Sequence, residues 1–305
     1  MSFEKRVDLR QDLDFRNKVL ESKQTKVYAV WRNCNLITEV NGLYKPLEVT
    51  LNDKLVDNAD QIIFLGRRDE VDLIGVDFSS LEKENLKKIL LEGEFLNMLE
   101  ERSLLTITEA PLMAYTRGLM HWNKNSKFCG KCGSFTNSED FGHTRRCNNN
   151  ACNKIHYPRL EPAIIVLVER INKDGVKECL LGRHVRIPDF WTTLAGFVDF
   201  GEQIEEAVSR EISEEVGIEV DSIQYIKSQP WPFPSSLMLG FTANATTSKI
   251  KVDPLELIEA DWFSAQKLSK GIKEGTIIIP GKASIAYQLI NTWLSKEGFD
   301  SDYNI

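Results

Sequence analysis

The chain has 305 residues, 42% of them hydrophobic and 27% charged, with a formal net charge of -7 and a pI of about 5.4. That length suggests roughly two domains, because a single core stops growing beyond about 250 residues. The acidic balance gives no electrostatic drive toward bare nucleic acid or anionic membrane. No apolar run approaches the ~20 residues of a membrane span, and Met1-Ser2-Phe3-Glu4-Lys5-Arg6 lacks the apolar stretch of a secretory signal, so the expected location is the cytoplasm.

Three regions separate along the chain: 1–122, 123–158 and 159–305. In the first, residues 26–31 read as a strand, and 61–65 with 71–76 read as a hairpin around Gly66-Arg67-Arg68-Asp69-Glu70. Residues 80–102 are rich in Leu, Glu and Lys and predict a helix. A second helix is expected from near Thr106, where Thr106 and Glu109 have capping-box spacing and Thr108 is an alternative cap. Its Leu112, Tyr115, Leu119 and Trp122 recur at helical spacing and should face a core. This region carries no catalytic constellation, and a scaffolding or dimerisation role is expected of it.

The second region is rich in glycine and cysteine and poor in apolar residues. Four of the six cysteines lie here, as Cys129-x2-Cys132, 14 residues, Cys147-x4-Cys152. In a reducing compartment this clustering points to metal more than to disulfides. Two pairs on turns can place four thiolates tetrahedrally around Zn2+ at about 2.3 Å, which leaves no open position for catalysis. A segment with so few apolar groups needs such a staple. The second pair is wider than the usual spacing; His143 and His156 are possible substitute ligands, and four unrelated reduced thiols are the alternative. Cys34 and Cys179, beside or inside strand-like runs, read as small hydrophobes.

The third region has strand-like runs at 163–168, 178–181, 191–194, 223–226 and 237–242. A helix-like segment lies at 204–216 and a closing helix at 284–294. Strands with few helices suggest a mixed sheet with helices packed on it. From Gly196 to Ile218 the chain matches G-x5-E-x7-R-E-U-x-E-E-x-G-U, where U is a bulky aliphatic. Gly196, Glu202, Arg210, Glu211, Glu214, Glu215 and Gly217 fill the fixed positions. With Gly and Glu each at about 7% in ordinary proteins, chance would give these seven at about 10^-8 per window. On a helix, Ile204, Ala207, Val208, Ile212 and Val216 span one broad apolar face. Glu211 and Glu215 point into its middle and Glu214 lies at its edge. A solvated acidic face is the ordinary alternative, but these carboxylates sit where burial is expected. Burying two repelling carboxylates is costly unless something neutralises them. Divalent Mg2+ or Mn2+ does so, and such ions bridge to phosphates. Arg210 is the natural orienting partner for Glu202.

These residues form a Nudix box, and the chain resembles the Nudix hydrolases. The resemblance implies an α/β/α sandwich within an α+β chain. It also implies cleavage of a diphosphate that links a nucleoside to another moiety, and catalytic metals on Glu211, Glu214 and Glu215. Glu215 is the first choice for the group that takes the proton from water, with Glu211 next.

Downstream lies Ser228-Gln229-Pro230-Trp231-Pro232-Phe233-Pro234-Ser235-Ser236. Its three prolines exclude a central strand and predict a stiff extended edge, with rings pre-positioned for stacking on a base or a nicotinamide. A packed turn or a proline-rich ligand for another protein are the alternatives. SQPWPFPxS after a Nudix box is similar to the signature of the NADH pyrophosphatase (NudC-type) subfamily. The HW…FCGKCG junction, Tyr157-Pro158, Leu194-Ala195-Gly196-Phe197-Val198 and residues 256–263 are similar to it too. The resemblance spans roughly 105–297 and departs at the wider C-x4-C. It implies that the Ala195 carbonyl and Glu256 complete the metal shell. It places Tyr157, Phe197, Gln229, Pro230, Trp231, Pro232, Phe233, Pro234, Ser235, Ser236 and Ala286 around the nucleotide. It further implies a homodimer that splits NADH or NAD into AMP and nicotinamide mononucleotide and family members that also remove NAD caps from RNA; cap removal as the main task, or hydrolysis of other dinucleotides, are the alternatives. A zinc-ribbon binding protein that keeps the fold without catalysis is the rival from a different class.

Overall fold

A computed structural model of the chain describes residues 3–90, 92–97 and 110–299. It divides into two compact units: Met1–Leu160 with Pro232–Ser235, and Glu161–Trp231 with Ser236–Ile305. No helix among the described residues is long and apolar enough to cross a membrane.

The first unit opens with α1 (Leu13–Glu21), β1 (Lys26–Trp31), β2 (Cys34–Val40), β3 (Leu43–Pro46) and β4 (Glu48–Thr50). The short α2 (Asp53–Asp57) leads into the hairpin β5 (Gln61–Arg68) and β6 (Val71–Asp77), which turns at Asp69 and Glu70 as expected. These strands form one sheet in the order β3-β2-β1-β6-β5, with β4 added to β1.

The long helix expected over 80–102 is not formed. A short α3 (Lys83–Ile89) gives way to β7 (Glu94–Leu96), which pairs with β2. Gly93 explains the break. Its φ is +87°, and a Cβ there would stand 2.7 Å from Leu47 Cδ2 and 2.9 Å from the Ile37 carbonyl. A tertiary close approach therefore overrides helix propensity. Thr106, Thr108 and Glu109, the expected cap residues, lie outside the described residues, as does Arg102.

The helix that follows is described as α4 (Ala110–Asn125). Leu112 and Leu119 are buried with Met120 against β1, β5 and β6, and Tyr115 packs partly buried beside them. The cysteine segment forms a three-stranded sheet of β8 (Thr136–Glu139), β9 (Thr144–Cys147) and β10 (Ile155–His156). It is tied into the first unit. Phe141 joins the core around Phe64, the His143 ring donates to the Phe64 carbonyl at 2.6 Å, and buried Arg145 donates to Thr136 and Asn123.

The second unit is a six-stranded sheet of β11 (Glu161–Ile171), β12 (Lys177–His184), β13 (Leu194–Phe197), β14 (Val220–Trp231), β15 (Ser236–Ala245) and β16 (Leu257–Ser264). Three helices accompany it: α5 (Ile204–Val216), α6 (Ala265–Lys273) and α7 (Ile285–Lys296). The central strand β11 shows why this is a layered sandwich. Its alternate residues Ile164, Val166 and Val168 join one core with Val208 and Ile212 of α5. Ile165 and Leu167 join the opposite core with α6 and α7. A strand buried on both faces reads as a continuous apolar run, which is what residues 163–168 are.

The strand expected at 191–194 is displaced. Only Thr192 bridges, to Gly182, and the paired strand is Leu194–Phe197 against β11. Trp191 is held instead by its edge-to-face ring contact with Phe263 at 4.8 Å and by the hydrogen bond its backbone N–H donates to the Ile278 carbonyl.

Candidate active site

Helix α5 runs from Ile204 to Val216, as its periodicity predicts. The Gln203 amide donates to Glu206 Oε2 at 2.8 Å at its start. Gly217, at φ 67°, closes its end in the left-handed conformation that glycine tolerates. The apolar face is buried as expected at Ala207, Val208, Ile212 and Val216, while Ile204 is partly exposed.

Two carboxylates share that buried face. Glu211 is 9% exposed and Glu215 only 1%. Glu256, on the turn before β16, is brought in because the Asp253 amide donates to the Glu215 carbonyl at 2.9 Å, which pins the 253–257 turn to the end of α5. One oxygen each of Glu211, Glu215 and Glu256 lie within 4.8 Å of one another. Glu214 is exposed and is not part of this group.

The adjoining strand is shaped for the same purpose. A Cβ on Gly196 would lie 1.9 Å from Glu211 Cδ and about as close to both of its oxygens. Only glycine lets the β13 backbone, with Ala195 beside it, pass directly under this carboxylate.

Arg210 organises the rim. Its guanidinium grips Glu202 with two bonds, Nε to Oε1 at 2.7 Å and Nη2 to Oε2 at 2.9 Å. It also donates to Glu211 Oε1 at 2.8 Å, to Glu214 Oε2 at 3.0 Å and to the Phe197 carbonyl at 2.9 Å. The bond to Arg210 drops Glu202 to a pKa of about 2. The reach of Arg210 to Glu211 was not visible in the sequence, where its pairing with Glu202 was.

The interior carboxylates behave oppositely. Burial pushes Glu211 up despite Arg210. Burial first, then the charges of Glu211 and Glu256, lifts Glu215 to about 9. Both Glu215 oxygens are buried without a hydrogen-bond partner. Such a group is costly in a native fold unless a ligand satisfies it. Three acidic oxygens converging on an unsatisfied buried carboxylate fit a hard divalent cation, whose preferred donors are oxygens.

The four sulfurs of Cys129, Cys132, Cys147 and Cys152 also lie within 4.8 Å of one another. Cys129 and Cys152 are 3.8 Å apart and Cys132 and Cys147 3.5 Å. Both gaps are far beyond a disulfide bond and near the ~3.8 Å edge of a tetrahedron of thiolates about 2.3 Å from a zinc ion. His156 Nε2 stands 3.3 Å from Cys129 Sγ, as a neighbour of the cluster. His143, the other substitute considered, is spent on Phe64. Cys179 is fully buried in β12, a small hydrophobe as expected.

The proline-aromatic segment ends the edge strand β14, with Pro230 facing Leu237 and Trp231 facing Ser236 across β15. Gln229 uses its whole side-chain amide inside the second unit. Nε2 donates to the Ala283 carbonyl at 2.6 Å and Oε1 accepts from the Ile285 amide at 2.7 Å. That fixes the strand to the start of α7, where Ala286 is buried. Phe197 and Tyr157 are exposed on β13 and just past β10, in the second and first units respectively. The turn Pro232–Ser235 belongs to the first unit, where Phe233 packs with Ile37 and Met113. Trp231 is half-buried and Ser236 buried.

A profile of the NUDIX domain matches residues 159–279. The human protein named NAD-capped RNA hydrolase NUDT12 is 37% identical over 277 residues, covering 84% of this chain and 57% of that protein. NAD-capped RNA hydrolase NudC of Pseudomonas aeruginosa (strain LESB58) is 39% identical over 212 residues, 69% of this chain and 66% of that one. The mouse protein named NAD(P)H pyrophosphatase NUDT13, mitochondrial, is 33% identical over 247 residues, 75% of this chain and 68% of that one. The chain thus spans 57% to 68% of the length of these relatives. The chain belongs to the Nudix hydrolase family, in its NudC-type branch.

Proposed function

We propose that this chain is a divalent-metal-dependent diphosphatase that hydrolyses NADH and NAD to AMP and nicotinamide mononucleotide. The observation that carries the metal-dependent chemistry is Glu215, a buried carboxylate with no partner, facing Glu211 and Glu256. Glu211, Glu215 and Glu256 hold Mg2+ or Mn2+, with Glu214 and the Ala195 carbonyl at the margin of the shell. When bound, such ions polarise phosphoryl oxygens and lower the pKa of the attacking water. Glu215 would accept the proton of that water, with Glu211 the next candidate; a cation beside it would hold it ionised at pH 7, where burial alone leaves it protonated. Arg210 keeps Glu211 aimed inward and Glu202 anchored. Water adds to one phosphorus, its bond to the bridging oxygen breaks, and the two halves depart as AMP and nicotinamide mononucleotide.

The choice of NAD(H) among dinucleotides rests on residues 229–236 and on the names of the relatives. Trp231 supplies a stacking surface for one ring of the dinucleotide. The four cysteines hold a structural Zn2+, and the branch resemblance adds a homodimer. The test is AMP release from NADH with Mg2+, by the native protein and by Glu215→Gln. No AMP from the first, or undiminished AMP from the second, overturns the proposal. The relatives named NAD-capped RNA hydrolases favour a second reading, NAD-cap removal from RNA as the main task. Comparing kcat/KM for NADH and for NAD-capped RNA separates the two. Tight nucleotide binding without metal-stimulated cleavage would mark a non-catalytic binding protein instead.

A further inference from the structure

The cysteine ribbon reverses the charge of the chain. Residues 123–160 carry seven lysines and arginines against two acidic residues, in a protein of net charge -7. Both acids are engaged inside the ribbon. Glu139 Oε2 is gripped by Arg146 Nε at 2.8 Å, and Asp140 Oδ2 accepts from the Thr144 hydroxyl at 2.9 Å. Arg145 is buried and spent on Thr136 and Asn123. Lys124 and Lys127 line a cavity with Asp60 and Asp77. That leaves Lys131, Lys154 and Arg159, all exposed and, among the described residues, in no ion pair. Lys131 sits on the turn between Cys129 and Cys132. His156, 3.3 Å from Cys129 Sγ, has its pKa lowered by burial and then by the charges of Lys154, Arg145 and Arg159. The three free cations therefore cluster about the Cys129 turn.

Beside Cys129 the ribbon displays a pair of aromatic rings. Phe128 and Phe135 are each 61% exposed, with ring centroids 4.7 Å apart and planes 36° apart. Neither joins a hydrophobic core of the first unit. An isolated antiparallel bridge pairs them. The backbone around them is fixed on both sides: the Thr136 amide donates to the Lys127 carbonyl at 2.9 Å and the Asn148 amide to the Phe135 carbonyl at 3.0 Å. Strand alternation sets exposed Asn137 on the face of Phe135, opposite Arg146 of β9. Packing within the first unit accounts for none of this display. We propose that this face of the ribbon binds single-stranded nucleic acid. Unpaired bases stack on exposed rings whatever their sequence, while cations track the phosphates. Charge complementarity names the occupant, a polyanion on a basic stretch of an acidic chain. The rings select the single strand, whose bases are free to splay out and stack. The inference lies wholly within the first unit and rests on neither the carboxylate site nor the dinucleotide reading.

The test is fluorescence anisotropy of the whole, zinc-loaded chain with three labelled probes: an uncapped RNA of about 12 nucleotides, the DNA of the same sequence, and that RNA annealed to its complement. One or both single strands should bind, with the duplex weaker by about tenfold or more. Phe128→Ala and Phe135→Ala should each weaken single-strand binding by about five- to a hundredfold, the loss of one base stack. The logarithm of the binding constant should fall with the logarithm of salt at a slope of about -2, from three phosphate contacts at about 0.7 each, and Lys131→Gln should flatten that slope by about 0.7. Zinc by elemental analysis and the thermal melt should match the native protein in all three variants, since the altered side chains are exposed. If Phe128→Ala loses its zinc, Phe135→Ala and Lys131→Gln decide the matter. No binding of either strand at low salt, a duplex bound as tightly, or native affinity in the phenylalanine variants overturns the proposal. So does a native dimer that these substitutions dissociate in sedimentation while nucleic-acid affinity holds, because the face is then a contact between copies of the chain.

Discussion

Replacing Glu215 by Gln should stabilise the ion-free protein while destroying its activity. An ordinary glutamate, with a pKa of 4.5, is ionised at pH 7, whereas burial and the charges of Glu211 and Glu256 raise Glu215 to about 9. Keeping it buried at pH 7 therefore requires proton uptake. At about 1.4 kcal/mol per pH unit between 4.5 and 7, this costs the ion-free fold about 3 kcal/mol. Because the folded pKa is the higher one, the favourable contribution is complete below pH 4.5 and is lost as pH rises toward 9. Gln is neutral at every pH and stands in for the protonated acid. In buffer without Mg2+ or chelator, thermal melts at pH 7 should put the second unit of Glu215→Gln about 6–12 °C above native, at about 2–4 °C per kcal/mol. The gap should close near pH 5 and widen toward pH 8.5. Mg2+ or Mn2+ should raise the native melt and leave the variant nearly unmoved. NADH hydrolysis by the variant should fall by about a hundredfold or more, as for the loss of a general base. Parallel pH profiles for the two ion-free proteins, or equal stabilisation of both by metal, would refute the reasoning.

Other perturbations follow from the same geometry. Gly196→Ala sets a methyl 1.9 Å from Glu211 Cδ, so the carboxylate must move. Calorimetric Mn2+ titration should show affinity down by about tenfold or more, with unchanged affinity contradicting the placement. His143 is held near a pKa of 4, chiefly by burial. The folded pKa lies below the ordinary 6.5, so the first unit should lose up to about 3 kcal/mol as pH falls from 6.5 to 4. Denaturant melts over that range should show the loss, and His143→Asn should flatten it. Cys147→Ser should lower bound zinc by elemental analysis and destabilise the first unit, while His143→Asn keeps its zinc; full zinc retention by Cys147→Ser would exclude the four-thiolate site.

The catalytic half of the fold was the more legible. Helix α5 was placed to the residue because its apolar stripe, its carboxylates and Gly217 all obey one period. Strand β11 was visible because burial on both faces makes it uniformly apolar. Burial of Glu211 and Glu215 followed from the helical angle alone. Glu256 came only through resemblance, since its approach depends on the hydrogen bond from Asp253 to the end of α5. Where local sequence and tertiary contact disagreed, tertiary contact won. Residues 80–102 have helical composition, yet Gly93 turns the chain so that β7 can pair with β2. The turn of 232–235 looked like a stacking platform, but Phe233 is spent in a hydrophobic cluster with Ile37 and Met113.

The most direct test of the central claim is crystallographic: the protein with Mn2+ and a non-hydrolysable NAD analogue, with anomalous scattering recorded to locate manganese. The account predicts a manganese peak among the carboxylates of Glu211, Glu215 and Glu256, in contact with the analogue's diphosphate. A diphosphate bound elsewhere, or Glu215 still buried without an ion while the same preparation hydrolyses NADH, would contradict it.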